Sequence, residues 1–317
     1  MSNLFLQYET GDTGTRSVTN ALPSTADFWS SPAVVLATPD GNYTVGQATR
    51  INVLVSLMSP QAYQFITAQV WVGNPTSNFV PSNSLAVFQG GPSGVPLEHT
   101  WTPTTPGPTV GPVLIPVDGF VPYAGLSSLP GGHACLYANC LGMTSGTPPV
   151  ADGSDLTLQP QDNLNTEVLT NPHVAQRNIF AEVASPGPQK MINFPFVAQT
   201  ALSRGAEQVR LQITQKPPAQ LQKLLHSGLL RLEGPKFEGL PIALSQRPVK
   251  FIGLTGGPKE RPVVELELEA HKSQVLTVTA ELDPAEKPGA AHAFDVVQRD
   301  AYGRAEGGFT LVTIARD

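Results

Sequence analysis

The chain has 317 residues, 40% of them apolar and only 14% charged, with a net charge of −6 and 29 Gly and 31 Pro. Its length exceeds the usual size of one core and predicts two domains, while its apolar content is too high for a disordered chain. No apolar run reaches the roughly 18 residues of a membrane-spanning helix, and a first half almost without cations offers no footprint for nucleic acid.

Charge is spread unevenly. Residues 1–186 hold three basic side chains, Arg16, Arg50 and Arg177, against eleven Asp and Glu, a balance of −8. Residues 187–317 hold sixteen basic and fourteen acidic side chains, a balance of +2, and the first lysine is Lys190. This break coincides with the linker-like run Ala184–Pro188 (ASPGP). It predicts an acidic, lysine-free domain over 1–186 and a smaller one over 187–317. The opening MSNLFLQYETGDTG lacks a basic stretch followed by an apolar one, so no secretory signal is predicted. The expected location is cytoplasmic at synthesis, or outside by a leaderless route.

In chain order, short runs of strand character alternate with turn chemistry. Ala33–Thr38 is followed by the turn signal Pro39-Asp40-Gly41-Asn42. Arg50–Ser56 (RINVLVS) alternates with Ile51, Val53 and Val55 on one face, as a half-buried strand does. Phe65–Val72, Ser84–Phe88, Leu97–Trp101, Val110–Val117, Ala134–Asn139 and Val174–Val183 complete the first set. The insertions 73–83, 89–96 and 142–172 read as loops. In the second part Gln208–Thr214, Val263–Ala270, Val275–Leu282, Ala293–Arg299 and Gly308–Ile314 read as strands. Pro217–Leu232 is the one helix expected: its prolines suit a first turn, and Leu221, Leu224, Leu225, Leu229 and Leu232 form an apolar stripe. The predicted fold class is all-β, two Ig-like β-sandwiches, the second with one short helix.

An ordered set of strings adds a resemblance. Trp29-x-Ser31-Pro32-x-Val34, Asp40-Gly41, RINVLVS, Trp101-x-Pro103, Gly132-His133-x-Cys135-Leu136-x-Ala138 and Asn171-x-x-Val174-Ala175-Gln176-Arg177-Asn178 together resemble bacterial immunoglobulin-like domains of the CARDB-like adhesion type, over roughly 27–184. The resemblance implies that the segment around Cys135 is a buried penultimate strand and that Val174–Asn178 is its partner. It departs from the pattern where RINVLVS runs into LMSP and where the interval from Trp101 to His133 is long, which bears on loop geometry.

Candidate chemistry is sparse. His133, Cys135 and His173 are metal-ligand types, with Cys140 and His99 behind them, but CxxC and HExxH spacings are absent. In a continuous strand Cys135 is a small core side chain and Cys140 faces the other way; a disulfide between them needs a sharp reversal. Asp152, Asp155 and Asp162 share one loop and are oxygen ligands of the type calcium takes, without EF-hand spacing. No Gly-x-Ser-x-Gly elbow occurs. Arg177, a rare cation here, reads as a carbonyl cap or salt bridge, or as a ligand-binding arginine. The final strand, FTLVTI, reads as an open edge available for association, with Val312 at its centre.

No catalytic residue and no cofactor are assigned. A polar, little-charged surface packs against another protein with little desolvation of charge. The reading is a non-catalytic structural or binding protein, a subunit or adhesion module of an extracellular or phage-like assembly. Its partner would be another protein, a second copy, or a glycan. The alternatives are a metal-dependent hydrolase using His133 and His173, and the cargo or effector of a secretion machine.

Overall fold

The computed structural model describes all residues except 1–2, 10, 16–27, 39–42, 74–83, 124–134, 145–167, 169–170, 184–189, 200–206, 228–229, 231, 233–236, 248, 255–262, 269–272, 304 and 317. The first sandwich comprises β1 (Leu4–Phe5), β2 (Val34–Leu36), β3 (Thr49–Leu57), β4 (Phe65–Gly73), β5 (Leu97–Trp101), β6 (Val113–Phe120), β7 (Cys135–Met143) and β8 (Val174–Arg177). In one sheet β3 pairs with β1, β2 and β6; the other runs β5-β4-β7-β8. Alternation decides which residues go inside. Ile51, Val53 and Val55 of β3 meet Ile66, Ala68, Val70, Leu136, Ala138 and Cys140 in one core.

The second sandwich adds β9 (Ile179–Val183), β10 (Lys190–Gln199), β11 (Glu207–Gln215), α1 (Pro218–His226), β12 (Ala243–Leu244), β13 (Lys250–Leu254), β14 (Val263–Leu268), β15 (Ser273–Leu282), β16 (Ala290–Arg299) and β17 (Ala305–Ile314). A three-stranded sheet, β10-β15-β13, lies against a larger one ordered β14-β11-β16-β17-β9, with β12 also on β16. Phe194, Phe196, Leu276 and Val278 face Leu211, Phe294, Val296 and Phe309 across this core. Phe309 sits 5.4 Å from Phe194 and 5.3 Å from Phe196, ring centre to ring centre. The opposite face of the larger sheet carries α1 at one end, where Leu221 and Leu224 pack on Ala291, Ala293, Val312 and Ile314. The helix is shorter than the leucine stripe suggested. It starts at Pro218 and Ser227 caps its end through N–H bonds to Lys223 and Leu225.

Three strand expectations are corrected. Ser84–Phe88 forms no strand. Val174–Val183 is not one strand but two: β8 pairs with β7 in the first sandwich, and β9 pairs in parallel with β17 in the second. Asn178 is the switch between them, donating through Nδ2 to Gly308 O at 3.0 Å and accepting Thr310 N at 3.0 Å. Consequently β17 is no edge. It is paired with β16 on one side and β9 on the other, and Val312 is fully buried, opposite Ala293 and Ala181.

The two sandwiches meet through a mixed cluster in which Phe28, Trp29, Trp71 and Tyr137 pack with Val297 and Ala305. Trp29 Nε1 donates to Thr310 Oγ1 at 3.0 Å, and Thr310 Oγ1 donates to Asp295 Oδ1 at 2.7 Å. A protease nick within 184–189 would leave β9 on the N-terminal fragment and β17 on the other. The fragments are therefore expected to co-elute on native size exclusion and to part only in denaturant. Separate elution under native conditions would show that these contacts hold the sandwiches together only weakly.

His292, on β16, brings a pH dependence. It is 2% exposed, with Nε2 3.0 Å from Glu286 Oε1 and Nδ1 3.4 Å from Gln215 Nε2. Ser245 Oγ also donates to Glu286, and Lys190 Nζ donates to the Glu286 carbonyl. Burial pushes the imidazole below its usual 6.5 despite the opposing pull of Glu286. A histidine held neutral in the fold binds its proton better when unfolded. The stability it contributes is therefore complete above pH 6.5 and is lost as pH falls from there through the lower folded value. The melting temperature is expected to drop between pH 7 and pH 5, as read by circular dichroism. In His292→Gln that slope should flatten; an unchanged slope would assign it to other groups.

Candidate functional site

Among the described residues the structure keeps the sequence candidates apart. Cys135 and Cys140 lie on the same continuous strand but on opposite faces: Cys135 in the cluster between the sandwiches, Cys140 in the first core. Both are buried and not disulfide-bonded. His173 lies beside the Cys140 end of β7, where its carbonyl accepts Cys140 N at 3.0 Å. Cys135 is five residues further along, about 16 Å at ~3.3 Å per residue, so the two are not brought together. Among the described residues no three His, Cys, Asp or Glu side chains converge on a point. His133, Asp152, Asp155 and Asp162 lie outside the described residues. Arg177 is half-buried, and its Nη1 donates to Ser31 O at 3.2 Å, a carbonyl cap. That contact joins the two ends of the ordered strings, since Ser31 N reaches Gln176 O and Asn178 N reaches Trp29 O.

The two outward faces of the first sandwich differ sharply. On the β5-β4-β7-β8 sheet the outward residues Thr67, Gln69, Tyr137, Asn139 and Gln176 are at most 1% exposed. They pair across the strands: Thr67 with Thr100 at 2.8 Å, Gln69 Nε2 to Glu98 Oε2 at 2.8 Å, Asn139 Nδ2 to Gln69 Oε1 at 3.3 Å, and Gln176 Nε2 to Tyr137 OH at 3.1 Å. Burial drives the Tyr137 phenol well above its ordinary 10.0. This face is a structural ladder.

On the β2-β3-β6 sheet the outward face is open. Leu54 is half-buried opposite Leu114, which is 55% exposed. Just beyond the strand ends, Met58 (45% exposed) follows β3 and Val110 (75% exposed) precedes β6. Toward the other end the face turns polar, through Asn52 opposite Pro116 to Arg50 and Asp118.

There Arg50 grips Asp118 with two bonds, Nε to Oδ1 at 2.8 Å and Nη2 to Oδ2 at 3.1 Å. The hydrogen bond from Arg50 holds the Asp118 carboxyl below the usual carboxylate range, with His99 adding to it, and Asp118 raises Arg50 in turn. The pair forms one wall of a groove of about 620 Å³, with Thr38, Thr44, Gln47 and Thr49 among its other lining residues. Gly119, within β6 at φ +106°, also lines it, and a Cβ there would come within 3.1 Å of Leu97. The sequence reading passed over this groove. Its one visible signal is Arg50 itself, a rare cation at the outward position of an alternating strand.

Fold and surface together define an all-β sandwich protein. No family model matches the chain, and no curated protein matches it. Among solved structures the chain is similar to a family 123 glycoside hydrolase from Clostridium perfringens, at 12% identity and TM-score 0.26 over 44% of this chain. It spans 23% of that hydrolase's length. It is also similar to the CFA/I adhesin CfaE of enterotoxigenic Escherichia coli, at 8% identity and TM-score 0.26 over 90% of this chain and 83% of that one. The collagen adhesin of S. aureus follows at 7% identity and TM-score 0.22, over 89% and 91%. Likenesses this slight carry no argument about function. Among the described residues no helix is long and apolar enough to cross a membrane.

Proposed function

We propose that the protein is a non-catalytic binding protein and assembly subunit, whose partner is a second copy docked on the open β2-β3-β6 face. The observation that carries this reading is exposed Leu114 opposite half-buried Leu54, with exposed Met58 and Val110 just beyond the strand ends, on a sandwich whose other outward face is already buried. Exposed apolar side chains gain from being covered, at about 25 cal/mol per Å² removed from water. Only Arg50 and Asp118 on this face are charged among its strand residues, and they neutralise each other, so little charge must be desolvated.

Size sets the strength. The strands hold 3, 9 and 8 residues, which at ~3.3 Å per residue and ~4.8 Å between strands give roughly 300 Å² per copy and about 600 Å² for a pair. That falls short of the ~1,200 Å² at which specific interfaces usually begin, so the contact is weak alone and gains from repetition in an assembly. The CARDB-like adhesion character, and a division into domains 1–186 and 187–317 in which β9 of the first crosses into a sheet of the second, belong to this same reading. They rest on the ordered strings from Trp29 to Asn178 and on the charge break at Lys190. Sedimentation velocity tests the interface. Leu114→Arg, at an exposed position, should leave stability within about 0.5 kcal/mol and abolish concentration-dependent association. Association that survives the charge would place the interface elsewhere.

A further inference from the structure

The geometry points to the Arg50–Asp118 groove as a binding site for a neutral polyhydroxylated ligand, an uncharged glycan. This rests on the reading of the chain as a non-catalytic binding protein and adds a second kind of ligand to it. The groove, about 620 Å³, is of the size that holds small ligands, which usually occupy pockets of about 300–1,000 Å³.

Chemistry selects the class. The charged residues lining the groove are Arg50 and Asp118, which cancel, so neither an anion nor a cation is drawn in by net charge. The remaining polar lining is three threonine hydroxyls and the Gln47 amide. Each of these groups can both donate and accept, as can every hydroxyl of a sugar.

The ion pair supplies the directional element. A guanidinium has five N–H donors and a carboxylate about four acceptor positions. The fork uses two of each, leaving roughly three donors and two acceptors turned outward in a fixed plane. Neighbouring hydroxyls of a sugar ring, each one donor and acceptor, match that alternating edge.

The test uses the intact chain and a panel of uncharged probes, lactose, maltotriose, cellotriose and chitotriose, with inorganic phosphate as the charged control. Saturation-transfer NMR should detect at least one saccharide, with phosphate giving no competition. Arg50→Ala and Asp118→Ala should each weaken that saccharide at least tenfold. Both side chains are more than half exposed, so the fold should survive. Arg247→Ala, which breaks the comparable Arg247–Asp283 pair at 2.6 Å on the second sandwich, should leave binding unchanged. No saccharide bound, binding indifferent to Arg50 and Asp118, or displacement by phosphate would each overturn the proposal. Because the groove lies at the polar end of the face that self-association covers, binding is read at a dilution where sedimentation shows a monomer, so that association does not decide the groove.

Discussion

Asp295→Ala is expected to destabilise the protein by about 3–5 kcal/mol, the usual result of removing one partner from a buried ion pair. Lys216 Nζ lies 2.7 Å from Asp295 Oδ2, with the two side chains 3% and 14% exposed. Without the carboxylate, the ammonium has lost its counter-charge in a poorly solvated site. Asp295 also accepts from Thr310, which in turn accepts from Trp29 of the first sandwich. The variant should therefore disturb the contact between the sandwiches as well as the second core. Chemical denaturation followed by tryptophan fluorescence reads both effects. Lys216→Met in the same background is the informative partner: it removes the stranded charge and should recover much of the loss. A cost below about 1 kcal/mol would mean that water reaches the pair.

Cys135→Asp is expected to unfold the first sandwich, while Cys135→Ala costs far less. Cys135 is fully buried in the cluster with Phe28, Trp29, Trp71 and Tyr137. An uncompensated carboxylate there costs several kcal/mol, against a total stability of about 5–15 kcal/mol. Alanine removes one sulfur from a site that lies beside four aromatic rings. Proton NMR dispersion distinguishes the outcomes. A folded Cys135→Asp variant would show that this end of β7 reaches solvent.

Local pattern carried much of the fold. RINVLVS alternates because β3 turns one face to a core, and its bounds in the structure, Thr49–Leu57, extend the expected strand by one residue at each end. The hairpin of β16 and β17 was legible from Asp300 to Gly307, a stretch rich in turn residues; Asp300 Oδ1 accepts Tyr302 N and Gly303 takes φ +82°. What local pattern could not carry depends on partners far away in the chain. The open-edge reading of FTLVTI failed because β9, about 130 residues earlier, pairs along it. The break at Asn178 has the same origin: its amide and carbonyl are claimed by Gly308 and Thr310. Lys190–Gln199 was not read as a strand, with Pro195 inside it, yet β10 occupies the edge of its sheet, where a missing N–H is tolerated.

The candidate site was the least legible part. Arg50 and Asp118 are 68 residues apart and become neighbours only through the β3–β6 register. The sequence reading turned instead to His133, Cys135 and His173, whose residue types suggest chemistry without their positions supplying it. Cys135 fills the cluster between the sandwiches, and His173 meets β7 through its main-chain carbonyl. Arg177, the other cation singled out, serves the fold through Ser31.

The most direct test of the central claim is the mass of the native particle, measured by light scattering across a wide range of protein concentration. The weight-average mass should rise with concentration above the 33.6 kDa of one chain. The double variant Leu114→Arg/Val110→Arg should stay at 33.6 kDa throughout while melting as the wild type does. A wild-type particle that remains at 33.6 kDa at every concentration would contradict that claim.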